Sequence, residues 1–165
     1  RIARDKGIST HEEFFTLAYA KELAEKGKAD LICGNNVYAH VPDINDFTAG
    51  ISQLLKNTGT VTLEFPHLVK LIRHNQFDTI YHEHFSYLSL TTVKNIFSKY
   101  NLDVYDVEEL PTHGGSLRIY GSHTSFSKKI TNNVKNILLQ EEEFGIKEIS
   151  TYTSFQKKIE IILIC

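Results

Sequence analysis

The sequence predicts an open α/β domain built in layers, and three observations carry that reading. Helical and strand-like apolar runs alternate from Phe14 to Phe65, the connections between them are short, and no internal repeat or long biased tract interrupts them. At 165 residues with 41% hydrophobic composition, the chain is long enough to bury one real core without disulfides or a structural metal.

The elements follow in order. Ile2 to Lys6 is short and charged, Gly7 punctuates it, and Ser9-Thr10-His11-Glu12-Glu13 has the composition of a helix start. Phe14, Phe15, Leu17, Ala18, Ala20, Leu23 and Ala24 then recur at helical spacing up to a stop at Gly27. Ala29 to Cys33 is a short apolar strand broken by Gly34-Asn35-Asn36, and Val37 to Val41 is expected to open a further strand. Pro42-Asp43-Ile44 starts a helix carrying Phe47, Ile51, Leu54 and Leu55, which ends in an expected turn at Asn57-Thr58-Gly59. Thr60 to Phe65 is the next strand, and Pro66 to Ile72 a short helix. From Phe77 to Leu90 aromatic, acidic and histidine residues crowd together without a clear period, as in a functional loop. A helix from Thr91, a strand over Leu102 to Val107, a turn at Pro111 to Gly115 and a strand over Ser116 to Tyr120 follow. The Ser, Lys and Asn rich stretch beyond Ser122 leads through Glu141-Glu142-Glu143 into one long helix.

Charge excludes some partners. Eighteen basic and 20 acidic side chains leave a formal net charge of -2, which gives no strong field toward phosphate backbones or anionic membranes, so neither nucleic acid nor membrane is the expected partner. The two cysteines, with Cys33 placed as a small hydrophobe in an apolar run, fit a reducing cytoplasm. No apolar run approaches the roughly 20 residues that span a bilayer. Arg1 stands where an initiator Met belongs, Met is absent, and the chain stops inside the apolar run of Ile159 to Cys165, so a fragment or truncated reading frame is expected.

Three groups of residues stand out: Asn36-Val37-Tyr38-Ala39-His40-Val41; Asp78-Thr79-Ile80-Tyr81-His82-Glu83-His84-Phe85 with Tyr87-Leu88-Ser89-Leu90; and His113-Gly114-Gly115-Ser116-Leu117-Arg118. In kind, order and separation they resemble the S-adenosylmethionine-dependent sugar C-methyltransferases, of the keto-deoxyhexose 3-C-methyltransferase type that methylates a nucleotide-linked keto-deoxysugar, and the likeness runs from about Gly7 to Gly121. The resemblance implies a partial Rossmann-like class I methyltransferase domain followed by the start of a C-terminal α/β domain. Residues 1–75 would be the later half of the donor-binding domain, and 76–165 the catalytic loop and the opening of the second domain. The donor's glycine-rich turn, the acidic residue for its ribose and the zinc-binding cysteines are expected upstream of Arg1. S-adenosylmethionine is the implied cofactor, zinc belongs only to that upstream domain, and no metal site is expected within the chain.

Methylating a carbon beside a ketone requires a base for a weakly acidic proton and a polar partner for the enolate. Histidine suits the base near neutral pH, and the resemblance places it at His84. Glu83 would orient or tune a neighbouring group, Tyr81 would share a proton with the ketone or enolate, and His40, which the resemblance also indicates, follows the strand end where ligands gather in open α/β sheets. Asn36 and Val37 are candidates for the donor. Glu64, His82, Tyr87, His113, Gly114 and Arg118 are candidates for the nucleotide-sugar, Arg118 as a diphosphate clamp. If residues 81 to 84 were extended, Tyr81 and Glu83 would face away from His82 and His84.

Bland alternatives stand beside each role. Tyr81 is also readable as a core-edge aromatic, Glu83 as a solvated carboxylate and His82 as a packing or surface residue. Gly114 and Gly115 suit a turn needing positive φ, Arg118 an ordinary surface, Asn36 a turn cap and Glu64 a helix-start acid. A metal-dependent hydrolase would use His40, His82, His84 and His113 with Glu83, although their spacing matches no familiar zinc pattern. A non-catalytic remnant or a module that only binds sugar nucleotide is the other rival. The sequence leaves oligomeric state open.

Overall fold

The computed structural model describes residues 2–126 and 128–164. Its centre is a four-stranded sheet in the order β1-β2-β4-β3, where β1 is Ala29–Asn35, β2 Leu55–Pro66, β3 Leu102–Leu110 and β4 Ser116–His123. β1 and β2 run parallel, joined by helix, whereas β4 is antiparallel to both β2 and β3. The helices are α1 (Ile2–Asp5), α2 (Leu17–Lys26), α3 (Ile44–Leu54), α4 (Leu68–Arg73), α5 (Leu90–Lys99), α6 (Asn132–Glu143) and α7 (Ile149–Ile164). The expected α/β class is therefore present, and one sheet runs through both sides of the expected division at residues 75 and 76.

The core lies where the inward residues of β2, β3 and β4 meet α3, α5 and α6. Val61, Leu63 and Phe65 from β2, Leu117 and Ile119 from β4, and Val93 and Phe97 from α5 are essentially inaccessible. Alternation along the strands and a three-to-four period along α5 put these side chains on facing surfaces.

Several local expectations need correction. The first long helix begins at Leu17, and Ser9 to Glu13 stays irregular. The Thr16 hydroxyl accepts the Tyr19 N–H, and the Asp46 carboxylate accepts the Leu17 N–H at 3.0 Å. With Phe15 packed edge-on against Phe47 at 5.2 Å, the chain's direction is set by α3 before the helix can start. Val37 to Val41 forms a 3-10 turn over Tyr38–His40 and no strand, because Asn36 at φ 52 reverses the chain after β1. The expected turn at Asn57 to Gly59 is part of β2: Leu55 pairs with Ala29 and Thr60 with Leu31, so the intervening residues are accommodated as a bulge. Cys33 is exposed, since β1 pairs on one side only and Leu31 and Cys33 alternate onto an uncovered face. Cys165 lies outside the described residues. The single long terminal helix is two helices, α6 and α7. Gly145 at φ 76 supplies the left-handed break between them, a conformation costly for residues with a Cβ.

Candidate active site

The crowded segment between α4 and α5 folds as a loop held against the turn that follows β1. After a 3-10 turn at Phe77–Thr79, the N–H of His84 donates to the Tyr81 carbonyl at 3.1 Å, closing a tight turn. The Phe85 and Ser86 N–H groups donate to the Ala39 carbonyl at 2.9 and 3.2 Å, and His40 Nδ1 donates to the Glu83 carbonyl at 2.8 Å. These bonds span more than 40 positions of chain and draw two separate motifs into one cluster.

Within it the His84 ring lies 4.6 Å from His40, 4.4 Å from Tyr81 in a stacked arrangement and 5.8 Å from Tyr87, to which it is perpendicular. His84 Nδ1 is 2.9 Å from the Thr79 carbonyl oxygen. A carbonyl only accepts, so Nδ1 carries the proton, and the neutral ring keeps its lone pair on Nε2. The Tyr81 hydroxyl sits 3.4 Å from that Nε2. His40 is fixed in the same way by the Glu83 carbonyl, leaving its own Nε2 lone pair outward. The site thus holds two imidazoles of assigned tautomer beside a phenol, an arrangement fit to take a proton and to stabilise developing negative charge.

The turn changes which residues share a side. An extended strand would have separated Tyr81 from His84; three-residue closure stacks them. His82 and Glu83 are exposed on the turn's outer part, and the Glu83 carboxylate makes no hydrogen bond or ion pair among the described residues. Its expected orienting role falls to its backbone carbonyl. No sequence pattern identifies such a group, because every residue has one. The same holds for Thr79, whose carbonyl fixes the tautomer of His84 and which sequence reading passed over.

Glu64, near the end of β2, forms a second cluster. It is 7% exposed, accepts from Arg118 Nη2 at 2.8 Å and from the Thr112 hydroxyl at 2.9 Å, and sits opposite Arg118 in the β2–β4 register. Arg118 also lies 3.7 Å from Glu108. The guanidinium expected to clamp a diphosphate is thus already engaged by two carboxylates of its own sheet. Burial opposes ionisation of Glu64, but the hydrogen bonds from Arg118 and Thr112 and the nearby positive charge outweigh it, holding the carboxyl below its ordinary range. Because the folded-state pKa is the lower one, this stabilisation is fully present above the ordinary carboxylate value of about 4.3 and fades as pH falls through the folded value. Glu64→Gln is therefore expected to destabilise the chain at pH 7 and to converge with the wild type in acid. Urea unfolding at pH values from 7 to 3 measures this, and a constant difference would show that the carboxylate charge is immaterial.

The other candidates are dispersed. His113 is exposed at φ 51, followed by Gly114 and Gly115 at φ 74 and 122, the positive-φ turn anticipated for this pair. A Cβ on Gly114 would come within 2.2 Å of Gln76 Nε2, and the Gly114 carbonyl accepts from that same nitrogen at 2.9 Å. Gly114 is thus a packing and bonding position against Gln76, the residue preceding the His84 loop. Asn36 donates its N–H to the Glu64 carbonyl at 2.9 Å. Val37 lines an apolar cleft of about 450 Å³ with Phe14, Phe15, Val41 and Phe47. Among the described residues no three His, Cys, Asp or Glu side chains gather as a metal-holding group, and no helix is long and apolar enough to cross a membrane.

This sheet, with the His84 loop beside the carboxyl ends of its parallel strands, defines the fold class as Rossmann-like, that of the class I methyltransferases. The SAM-dependent methyltransferase of Anabaena variabilis aligns over 67% of this chain and 56% of its own, at 11% identity and a TM-score of 0.50. The PH0226 protein of Pyrococcus horikoshii aligns over 74% and 63%, at 12% identity and a TM-score of 0.50. Residues 4–107 match the methyltransferase domain family, and residues 111–163 match the C-methyltransferase C-terminal domain. The chain belongs to the methyltransferase domain family, and its last third is similar to the C-methyltransferase C-terminal domain. It is 38% identical over 160 residues to the C-methyltransferase NovU of Streptomyces niveus, covering 96% of this chain and 38% of that protein's length.

Proposed function

We propose that the protein to which this chain belongs transfers a methyl group from S-adenosylmethionine to a carbon beside the ketone of a nucleotide-linked keto-deoxysugar. The observation that carries this reading is the imidazole of His84, with Nδ1 committed to Thr79 and Nε2 left basic beside the Tyr81 hydroxyl. In the proposed reaction His84 Nε2 removes the proton next to the ketone, and the electron pair of that C–H bond becomes the enolate π system. Tyr81 donates a hydrogen bond to the enolate oxygen, and His40, 4.6 Å away, lines the same site. When bound, S-adenosylmethionine would supply the methyl group on a sulfonium, so that the bond to the enolate carbon would form as the S–C bond breaks and its electrons stay with sulfur.

The residues proposed for the donor fit such a ligand. Asn36 follows β1 in a left-handed conformation, which ends the strand, and Val37 opens onto the apolar cleft, where Asp43 and Asp46 stand at the lining. An apolar trough with carboxylates suits a cation carrying a flat base. The nucleotide-sugar would meet Tyr87, and the Glu64, His82, His113, Gly114 and Arg118 surface is its proposed continuation, with Arg118 available to phosphate only by leaving its carboxylates. Residues 1–75 are read as the later half of the donor domain and 76–165 as the catalytic loop and the opening of the C-terminal domain.

Deuterium uptake at the carbon beside the ketone tests the reading directly. Full-length protein incubated in D2O with a nucleotide-linked keto-deoxyhexose, and no methyl donor, should label that position well above the uncatalysed rate. Absence of catalysed uptake, with substrate binding intact, would sink the proposal.

A further inference from the structure

The catalytic loop is held from below by a buried carboxylate that the proposed chemistry does not use. Glu141, on α6, has no accessible surface, and both of its oxygens are engaged. Oε1 accepts from His67 Nε2 at 2.8 Å and from the Leu90 N–H at 2.7 Å; Oε2 accepts from the Thr91 N–H at 2.8 Å and the Thr91 hydroxyl at 2.6 Å. His67 immediately precedes α4, and Leu90 and Thr91 open α5, so the donors come from the two roots of the segment carrying Tyr81 and His84. The roots are also joined directly, by the Leu68 N–H donating to the Leu88 carbonyl at 2.9 Å.

This contact is more than a helix cap. Ser89 already caps α5 by accepting the Thr92 N–H, and Glu141 adds the first two N–H groups, which lack partners inside any helix. It also reaches across to His67, 2% exposed, whose Nδ1 has no hydrogen-bond partner among the described residues. Burying an imidazole with one unpaired nitrogen is costly, and the geometry spends that cost on fixing the end of β2 to α5. Burial opposes ionisation of Glu141, but the donors from His67, Thr91 and Leu90 outweigh it, so the site keeps the carboxylate form.

We infer that Glu141 is a positioning residue for the His84 loop: its carboxylate clamps both loop roots, and α6, which bears it, thereby sets the geometry of the His84 imidazole. This rests on the reading of His84 as the base only for its functional meaning; the clamp itself is measurable without any chemistry.

Glu141→Gln is the informative change. An amide has one acceptor oxygen, so either placement turns its NH2 toward a backbone N–H, of Leu90 or of Thr91. The comparison is Ile137→Val, which loosens the buried face of the same helix one turn earlier and removes none of the hydrogen bonds of Glu141. Two readouts apply under conditions where both variants are fully folded: hydrogen exchange, and the side-chain nitrogen shifts of His84. In Glu141→Gln the Leu68, Phe85 and Ser86 amides should exchange at least tenfold faster than in Ile137→Val, with amides of β2 and β4 unchanged between them. The His84 shifts should move from the pure Nδ1–H form toward a mixture. If Glu141→Gln does not fold, Thr91→Val, which deletes one hydrogen bond to Oε2, should give the same pattern at threefold or more. Loop exchange and His84 shifts equal to those of Ile137→Val would overturn the inference. Lack of substrate deuteration by the wild type would instead strike the proposed function and leave the clamp standing.

Discussion

His84→Asn in the full-length protein is expected to slow deuterium uptake beside the ketone by about 10²- to 10⁴-fold, the usual worth of a positioned general base. The replacement is chosen for what it keeps. The Asn amide presents an N–H near the position of Nδ1, so the 2.9 Å contact to the Thr79 carbonyl and the turn it supports have a substitute, while the Nε2 lone pair is gone. Substrate affinity should change little, because the ring's neighbours His40, Tyr81 and Tyr87 remain. Tyr81→Phe should cost less, on the order of tenfold, since it removes one hydrogen bond and leaves the base. Unchanged uptake in His84→Asn would take the base role from His84, with His40 the next imidazole to test.

The largest expected effect on stability comes from Phe97→Ala, about 3–5 kcal/mol. Phe97 is fully buried on α5, meets Tyr38 edge-on at 6.5 Å, and lies in the cluster that joins α5 to β2, β3 and β4. Truncation leaves a cavity beneath the helix whose first residues follow the His84 loop, and the fully packed strands around it have little room to collapse. Urea unfolding should show the loss as a lower midpoint with an unchanged slope. A change under 1 kcal/mol would mean that α5 repacks and is not anchored by this ring.

Much of the fold was legible because it rests on local signals. The run from Leu17 to Gly27, the Asp43 start of α3 and the strands around Leu63, Val104 and Ile119 show in spacing and punctuation. What went astray was decided by partners distant in sequence. Thr16 starts α2 because Phe47 and Asp46 receive Phe15 and Leu17, about 30 positions away. Residues 57 to 59 join β2 because β1 offers an edge with a bulge. Cys33 is exposed because only one side of β1 is paired and nothing covers its face.

The candidate site divides along the same line. Sequence alone determined the chemical inventory, Tyr81, Glu83 and His84 in the loop and His40 after the first strand, and it pointed to the family through linked motifs. Tertiary structure decided which of those groups lie together. Its means are backbone carbonyls: Thr79 sets the tautomer of His84, Glu83 that of His40, and Ala39 binds the loop that brings the two rings together. It also paired Arg118 with Glu64, and seated Glu141 under the loop roots, far from where its place in a run of three glutamates would put it. The physical reason is that a side chain's identity is written in the sequence, whereas the direction and partner of a hydrogen bond exist only once the chain has brought donor and acceptor within about 3 Å of each other.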